Sequence, residues 1–200
     1  MTTWADEALE ESARLLDWLR ATEAREHAVA RLSRRLAACF AQSGRLLACG
    51  NGGSMCDAMH LAEELSGRFR RERMAFPAMA LSDPAHLTCV ANDWGFDRVF
   101  ARGVEAWGRA GDVLVVFSTS GNSRNVVAAA ETARAQHLAV VGLLGRDGGA
   151  VHGLCDDAIV VPGSDAGRIQ EVHLKIVHLL VEGVERALVP EHDAPAPVSP

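Results

Sequence analysis

Two side chains that can bind a metal ion or move a proton, His60 and Glu64, stand four positions apart in the segment Asp57–Glu64. The segment has helical character, and a spacing of four places both side chains on one face of a helix. Imidazole and carboxylate groups are zinc ligands and also general acids and bases. The spacing therefore predicts a metal or acid–base site, with a surface His–Glu hydrogen bond as the alternative.

A second helical segment, near the end of the sequence, carries Gln170, His173 and His178. Gln170 and His178 lie within roughly 80° of each other around a helix, and His173 lies about 60° to the other side of Gln170. This spacing leaves both histidines open as partners of the first segment, and each could instead be a packed or surface histidine. Periodicity by itself does not bring the two helices together.

The stretch Ser118–Ser123, with the sequence STSGNS, follows an apolar, β-branched run and precedes a helical segment. The first turn of a helix has free N–H groups and the positive end of the helix dipole, so it attracts anions. The four hydroxyl groups of the stretch add donors without a fixed charge. We therefore predict a phosphate-binding turn, the alternative being a helix cap without a ligand. No Gly-Lys-Ser/Thr follows, which argues against a nucleoside triphosphate loop.

A glycine-rich turn, Gly50–Ser54, follows the first apolar run directly. Three glycines in four positions let the backbone approach a ligand or adopt positive φ, although many such turns are only tight connections. Met55 occupies the position of the third glycine in a dinucleotide fingerprint. A dinucleotide site is therefore not expected.

The 200 residues fit one domain of ordinary size, with 48% apolar and 23% charged residues. The formal net charge of −6 gives no support to nucleic-acid binding, which usually needs a basic surface. The five cysteines form no CxxC pair, which argues against a disulfide framework and a cysteine zinc site. We find no signal peptide and no membrane-spanning stretch, so we expect a cytoplasmic protein without a membrane partner.

From residue 45 onward, predicted strands and helices alternate, which is typical of a parallel sheet with crossover helices. The predicted strands are Leu46–Cys49, Ala78–Leu81, Val113–Phe117, Ala139–Leu144 and Ala158–Val161. Two helices are predicted in residues 6–41, with a break near residues 21–23. The later predicted helices are Ser54–Leu65, Ala85–Ala91, Val99–Trp107, Ser123–Gln136, Gly149–Leu154 and Gly167–Leu188. In an open parallel sheet, ligands bind beyond the carboxyl ends of the strands, where both polar turns are expected.

These segments together resemble the sugar isomerase (SIS) domain family, and within it the phosphoheptose isomerases. The resemblance covers about residues 45–188 and is carried by CGNGGS at 49–54, DAMHLAEE at 57–64, ANDWG at 91–95, STSGNS at 118–123 and RIQEVH at 168–173, with His178 added. It implies an α/β fold with a five-stranded parallel sheet flanked by helices, a flavodoxin-like three-layer sandwich. It also implies a homotetramer with active sites at subunit interfaces.

We accordingly divide the chain into three parts. Residues 1–44 are N-terminal helices that pack on the sheet and on partner subunits, residues 45–190 are the isomerase domain, and residues 191–200 are a disordered tail. The last segment, rich in proline and alanine, has the composition of a chain without a packed core.

The resemblance implies an aldose–ketose isomerase that converts sedoheptulose 7-phosphate into D-glycero-D-manno-heptose 7-phosphate through an enediol, the first step toward the heptose of the lipopolysaccharide core. Glu64 would be the general base and His178 its acid–base partner. One zinc ion per subunit would be bound by His60, Glu64, Gln170 and His178. The sugar phosphate would contact Asn51, Gly52, Gly53, Ser54, Glu64, Asn92, Asp93, Ser118, Thr119, Ser120, Ser123 and Gln170.

The main alternative is a non-catalytic SIS protein, for example a scaffold that recruits the replication initiator. Such a protein has no need of a base or of metal ligands, so the presence of all four residues of the implied zinc set favours the enzyme. A third possibility is a sugar-phosphate sensor, or an isomerase that acts on another sugar phosphate.

Overall fold

The structure is a computed structural model that describes residues 2–21, 23–70 and 72–189. The disordered tail predicted for residues 191–200 lies outside the described residues. None of the helices within the described ranges combines the length and the hydropathy needed to span a membrane.

Five parallel strands form one sheet in the order β2-β1-β3-β4-β5. Their bounds are β1 Leu46–Gly50, β2 Ala78–Ala80, β3 Val113–Ser118, β4 Ala139–Gly145 and β5 Asp157–Val161. Every predicted strand is confirmed, with ends that differ by one residue at most. The central strands β1, β3 and β4 are buried along almost their whole length, as expected for continuously apolar strands covered on both faces.

The described residues form eight α-helices and one 3₁₀ turn, Phe96–Arg98. The helices are α1 Trp4–Arg20, α2 Glu23–Ala41, α3 Gly53–Ser66, α4 Pro84–Trp94, α5 Val99–Trp107, α6 Arg124–Ala135, α7 Gly149–His152 and α8 Ala166–Leu188. All the predicted helices are confirmed. The sequence does not predict the 3₁₀ turn, and α4 continues three residues beyond its predicted end, to the point where Gly95 adopts a positive φ of 87°.

Helices cover both faces of the sheet, which confirms the three-layer arrangement. Along β1, Leu46 and Ala48 pack into one core with α2, α3 and α8, while Leu47 and Cys49 pack into the other with α4, α5, α6 and α7. This alternation follows from the two-residue period of a strand. Helix α1 packs chiefly on α8, and its Leu15 reaches the first core.

The sheet topology fixes where a ligand can bind. The chain leaves β1 toward β2 on one side, whereas β3 lies on the other side of β1, so the direction of strand addition reverses between β1 and β3. A crevice opens at the carboxyl ends of the strands at such a reversal. Helices α3 and α6 begin at this edge, directly after β1 and β3.

Candidate active site

Three of the predicted site residues meet between helices α3 and α8. The Nε2 atoms of His60 and His178 are 3.0 Å apart, and His60 Nε2 lies 3.3 Å from Glu64 Oε1. One ligand atom from each residue lies within 4.8 Å of the others. Zinc–nitrogen bonds of about 2.1 Å place two tetrahedral ligands roughly 3.4 Å apart, so the trio fits a zinc ion as well as a shared proton.

His178 lies in a half-buried environment formed by two other rings. Phe69 stacks on its imidazole with ring centroids 5.7 Å apart, and the His60 ring lies 5.1 Å away. Burial, followed by the nearby charge of His60, lowers the pKa of His178. An unprotonated imidazole is the form that binds a metal or accepts a proton. The position of Phe69 is a feature that the sequence did not predict.

His173, which the spacing left open as an alternative, is a core residue. It is fully buried, its Nε2 donates to the carbonyl oxygen of Leu144 at 3.1 Å, and it meets Phe117 edge-on. Burial lowers the pKa of His173 to about 4, so the ring is neutral near pH 7. The structure thus brings His178, and not His173, to the His60–Glu64 pair.

The turn Ser118–Ser123 directly precedes α6, at the positive end of that helix. The Gly121 amide donates to Ser118 Oγ at 3.0 Å and the Asn122 amide to Ser120 Oγ at 3.2 Å, which closes the turn. The Ser123 hydroxyl forms no capping bond with α6, so it can serve a ligand at the positive end of the helix.

Neighbouring loops brace this turn. Asn122 Oδ1 accepts from the Ala150 amide at 3.0 Å, and Gly121, with φ of 63°, touches the Gly148 carbonyl so closely that a Cβ would overlap it. A Cβ on Gly145 would likewise meet both the Thr119 carbonyl and the side chain of Ile169. The turn therefore lies beside the first turn of α8.

The glycine-rich turn meets the same end of α8. A Cβ on Gly53 would overlap the Gln170 side chain, and Gln170 Nε2 lies 3.5 Å from Ser54 Oγ. Gln170 therefore contacts two of the predicted substrate-binding residues. It precedes His178 by eight residues, or about 12 Å along the helix. Its substrate contact and its role as a zinc ligand remain predictions.

Asn92 and Asp93 lie in the last turn of α4, where both are exposed. Asn92 Nδ2 donates to Asp93 Oδ1 at 2.8 Å, and Asp93 Oδ2 is 3.7 Å from Cys89 Sγ. Within the described part of the chain, these hydrogen bonds do not connect the pair to the glycine-rich turn or to the Ser/Thr turn. Their substrate contact remains a prediction.

The C-terminal end of α3, where Glu64 lies, is fixed by Arg73, whose role the sequence did not predict. Its guanidinium donates to the carbonyl oxygens of Glu64 at 2.6 Å, Leu65 at 2.8 Å and Gly67 at 3.0 Å, and to Glu185 Oε1 at 3.0 Å. The Arg73 and Glu185 side chains are only 2% and 1% exposed. The pair therefore connects the end of α3 to α8.

Two further residues beside the site, Asn125 and Asp57, were not predicted from the sequence. Asn125 pairs with Asn51 across the crevice through two side-chain hydrogen bonds. Asp57 precedes His60 by three residues, is 7% exposed, and burial raises its pKa to about 6. The spacing of Asp57 from His60 and Glu64 on one helix could have pointed to Asp57, although only His60 and Glu64 were predicted. The Asn51–Asn125 contact joins residues far apart in sequence and had no local signal.

The arrangement as a whole has two chemically distinct ends. The His60–Glu64–His178 trio can bind a divalent cation and move protons, and the Ser/Thr turn can bind a phosphate without a positively charged side chain. A small phosphorylated substrate that spans both ends fits this division of roles.

Comparisons with known proteins agree with the fold. The SIS domain family matches residues 9–145. The phosphoheptose isomerase of Fusobacterium nucleatum is 53% identical over 162 residues, 81% of this chain and 84% of that protein. The phosphoheptose isomerase of Klebsiella pneumoniae is 51% identical over 181 residues, 90% of this chain and 94% of that protein.

Among solved structures, a phosphoheptose isomerase from Neisseria gonorrhoeae has a TM-score of 0.85 at 37% identity, covering 91% of this chain and 97% of that chain. The similarity thus extends over the sheet and the helices on both of its faces. The chain belongs to the SIS domain family, and within it to the phosphoheptose isomerases.

Proposed function

We propose that this chain is an aldose–ketose isomerase that converts sedoheptulose 7-phosphate into D-glycero-D-manno-heptose 7-phosphate, at the start of the synthesis of lipopolysaccharide-core heptose. The observation that carries the proposal is the meeting of His60, Glu64 and His178 between two helices. The phosphoheptose isomerases of Fusobacterium and Klebsiella, each at least half identical, support the same reaction.

Isomerisation moves one hydrogen from C1 to C2 of the sugar. In the proposal, Glu64 removes a proton from C1, the electrons shift to form an enediol, and a proton then returns at C2. His178 moves the proton between the two oxygens, for which a half-buried imidazole with a lowered pKa is suited. Glu64 has a side chain that is 14% exposed, so bulk water has limited access to its carboxylate.

Substrate binding is assigned to the two turns. The hydroxyl groups of Ser118, Thr119, Ser120 and Ser123 and the amides at the start of α6 hold the phosphate. The glycine-rich turn, Asn51 to Ser54, together with Gln170, binds the sugar chain, and Asn92 and Asp93 complete the contacts. The close packing of Gly53 and Ser54 against Gln170 supports a joint role for these residues.

We further propose that His60, Glu64 and His178 hold one zinc ion per subunit, with Gln170 as an additional ligand. Two imidazoles and a carboxylate are a common zinc donor set, and their atoms are already close enough. When bound, zinc supplies a Lewis acid that polarises the substrate carbonyl.

Metal removal gives a direct check. Elemental analysis of the purified protein is expected to give about one zinc per chain, falling to near zero after dialysis against a chelator. The His60→Ala variant should lose zinc without chelator because one of the three clustered ligands is gone. Full zinc content in His60→Ala would remove His60 from the ligand set, whatever the activity.

The turnover assay separates the enzyme from its alternatives. Sedoheptulose 7-phosphate is incubated with the protein, with and without added zinc, and the aldose product is quantified. Conversion by the wild type and its loss in Glu64→Gln support the isomerase. No product under any metal condition would favour a scaffold or a sugar-phosphate sensor.

We also propose a cytoplasmic homotetramer in which residues 1–44 contact partner subunits and active sites lie at subunit interfaces. Helix α1 supports this because it exposes large apolar side chains, with Trp4 83% and Leu9 68% exposed. The metal-binding trio is also partly open, since the His60 side chain is 36% exposed. A neighbouring subunit would cover such surfaces.

A further inference from the structure

A pair of side-chain amides joins the two ligand-binding turns. Asn51 Nδ2 donates to Asn125 Oδ1 at 2.9 Å, and Asn125 Nδ2 donates to Asn51 Oδ1 at 2.8 Å. Asn125 is 3% exposed, whereas Asn51 is half-buried. Because hydrogen bonds weaken steeply with misalignment, two bonds between the same two groups fix both their separation and their mutual orientation.

The pair lies at the point in the sheet where a ligand is expected. Asn51 follows the last residue of β1, and Asn125 is the second residue of α6, which follows β3. Strands β1 and β3 are neighbours, with Gly50 opposite Phe117, and the direction of strand addition reverses between them. The amide pair therefore bridges the crevice that forms at this reversal.

The two asparagines cannot play the same role. A carboxamide has two N–H donors and two acceptor lone pairs, and the pair uses one of each on either side chain. Asn51 therefore keeps a donor and an acceptor, which its partial exposure makes accessible to a sugar hydroxyl. Asn125 is buried and has no comparable access.

We propose that Asn125 is a positioning residue: it holds the Asn51 amide in the orientation that binds the sugar and keeps the glycine-rich turn at a fixed separation from the phosphate-binding turn. The inference rests on the proposed function of this site. Asn125 acts through Asn51 and not on the reacting atoms.

The first test compares a sugar phosphate with phosphate alone. Asn125→Ala is expected to raise KM for sedoheptulose 7-phosphate roughly 10-fold, the effect of about one lost hydrogen bond. The inhibition constant of inorganic phosphate should change less than about twofold, because that ion needs only the Ser/Thr turn. A KM within twofold of wild type, or an equal rise in the phosphate constant, would overturn the inference.

The second test is a double-mutant cycle with Asn51→Ala. If Asn125 acts only through Asn51, the double variant should have the same KM as Asn51→Ala alone. Additive effects would mean that Asn125 supports the site by another route. Thr132→Ala is the matched control: it removes a hydroxyl of α6 that donates to Ala128 O at 2.8 Å, within the helix, and should leave KM unchanged.

Folding and function can be judged separately. If Asn125→Ala does not fold, it is replaced by Asn125→Ser, which also cannot form the amide pair. Thermal melting then verifies that the Asn125→Ser variant is folded. If the wild type does not isomerise sedoheptulose 7-phosphate, the proposed function fails. The same variants are then compared by calorimetric binding of the sugar phosphate and of inorganic phosphate, with the same expected selectivity.

Discussion

The roles of the individual site residues follow from charge, burial and the groups they touch. Spacing predicted that His60 and Glu64 share a helix face, and their contact confirms it. It could not choose between His173 and His178, because that choice depends on which face of α8 meets the sheet. Asn125 and Phe69 could not be predicted either, since their partners Asn51 and His178 are distant in sequence.

Replacement of the proposed base should reduce turnover more than binding. Glu64→Gln keeps the size of the side chain but removes its ability to accept a proton, so kcat should fall by roughly 10²–10⁴-fold. Steady-state kinetics with sedoheptulose 7-phosphate measures this, with zinc content determined in parallel. Turnover close to wild type at full zinc content would exclude Glu64 as the base.

The turn Ser118–Ser123, proposed to bind the phosphate, should act mainly on affinity. Ser120→Ala removes a hydroxyl that would contact the phosphate equally in the ground state and the transition state, so KM should rise severalfold while kcat changes little. The same kinetic assay measures both constants, with Thr132→Ala as the control. A fall in kcat without a change in KM would show that the turn contributes to the chemical step instead.

The helices that carry the site are held by contacts that have no local sequence signal. The bounds of α3 and α8 were predictable from their apolar periodicity and from Gly and Pro near their ends. Their association was not, because it depends on both helices covering the same face of the sheet. Arg73 strengthens that association by combining bonds to the final carbonyls of α3 with an ion pair to Glu185 on α8.

Loss of Arg73 should destabilise the fold. Arg73→Met removes one partner of an almost fully buried ion pair, together with the bonds to the carbonyl oxygens at the end of α3. Removing one partner of such a pair costs about 3–5 kcal/mol. Chemical denaturation monitored by circular dichroism measures the free energy of unfolding. As a control, Arg20→Met removes the exposed pair with Asp17 and should cost less than about 1 kcal/mol. Equal effects in the two variants would contradict this account of Arg73.

At the scale of the whole molecule, the alternation of strands and helices was sufficient to predict a parallel α/β sheet. The strand order rests on more than the pattern, because the same alternation is compatible with other crossovers. The edge strands β2 and β5 were both predicted, but neither is continuously buried, and their composition does not say which edge of the sheet each one occupies. The order β2-β1-β3-β4-β5 agrees with the flavodoxin-like fold that the family resemblance implied.

Assembly should depend on the exposed apolar side chains of α1. The wild type is expected to run as a tetramer in size-exclusion chromatography with light scattering. Trp4→Ser combined with Leu9→Ser removes exposed apolar area and should shift the protein toward smaller species. Trp107→Ser, at a 50% exposed position on α5, serves as a comparison at a different surface. If the wild type is a monomer, or if the double variant keeps the mass of a tetramer, α1 has no role in assembly.

Helices α3 and α8 run in the same direction and contact each other at two levels, so the site could select substrates by the length of the sugar chain. Gly53 meets Gln170 at one level, and His60 meets His178 seven and eight residues further along the two helices. If the phosphate is held beside the first turn of α8, as proposed, the sugar must extend toward the second level, which lies about two turns further along that helix. A shorter ketose phosphate would then be anchored by its phosphate with its reacting carbons short of Glu64. Selection by chain length would then require no side chain dedicated to rejecting the wrong sugar.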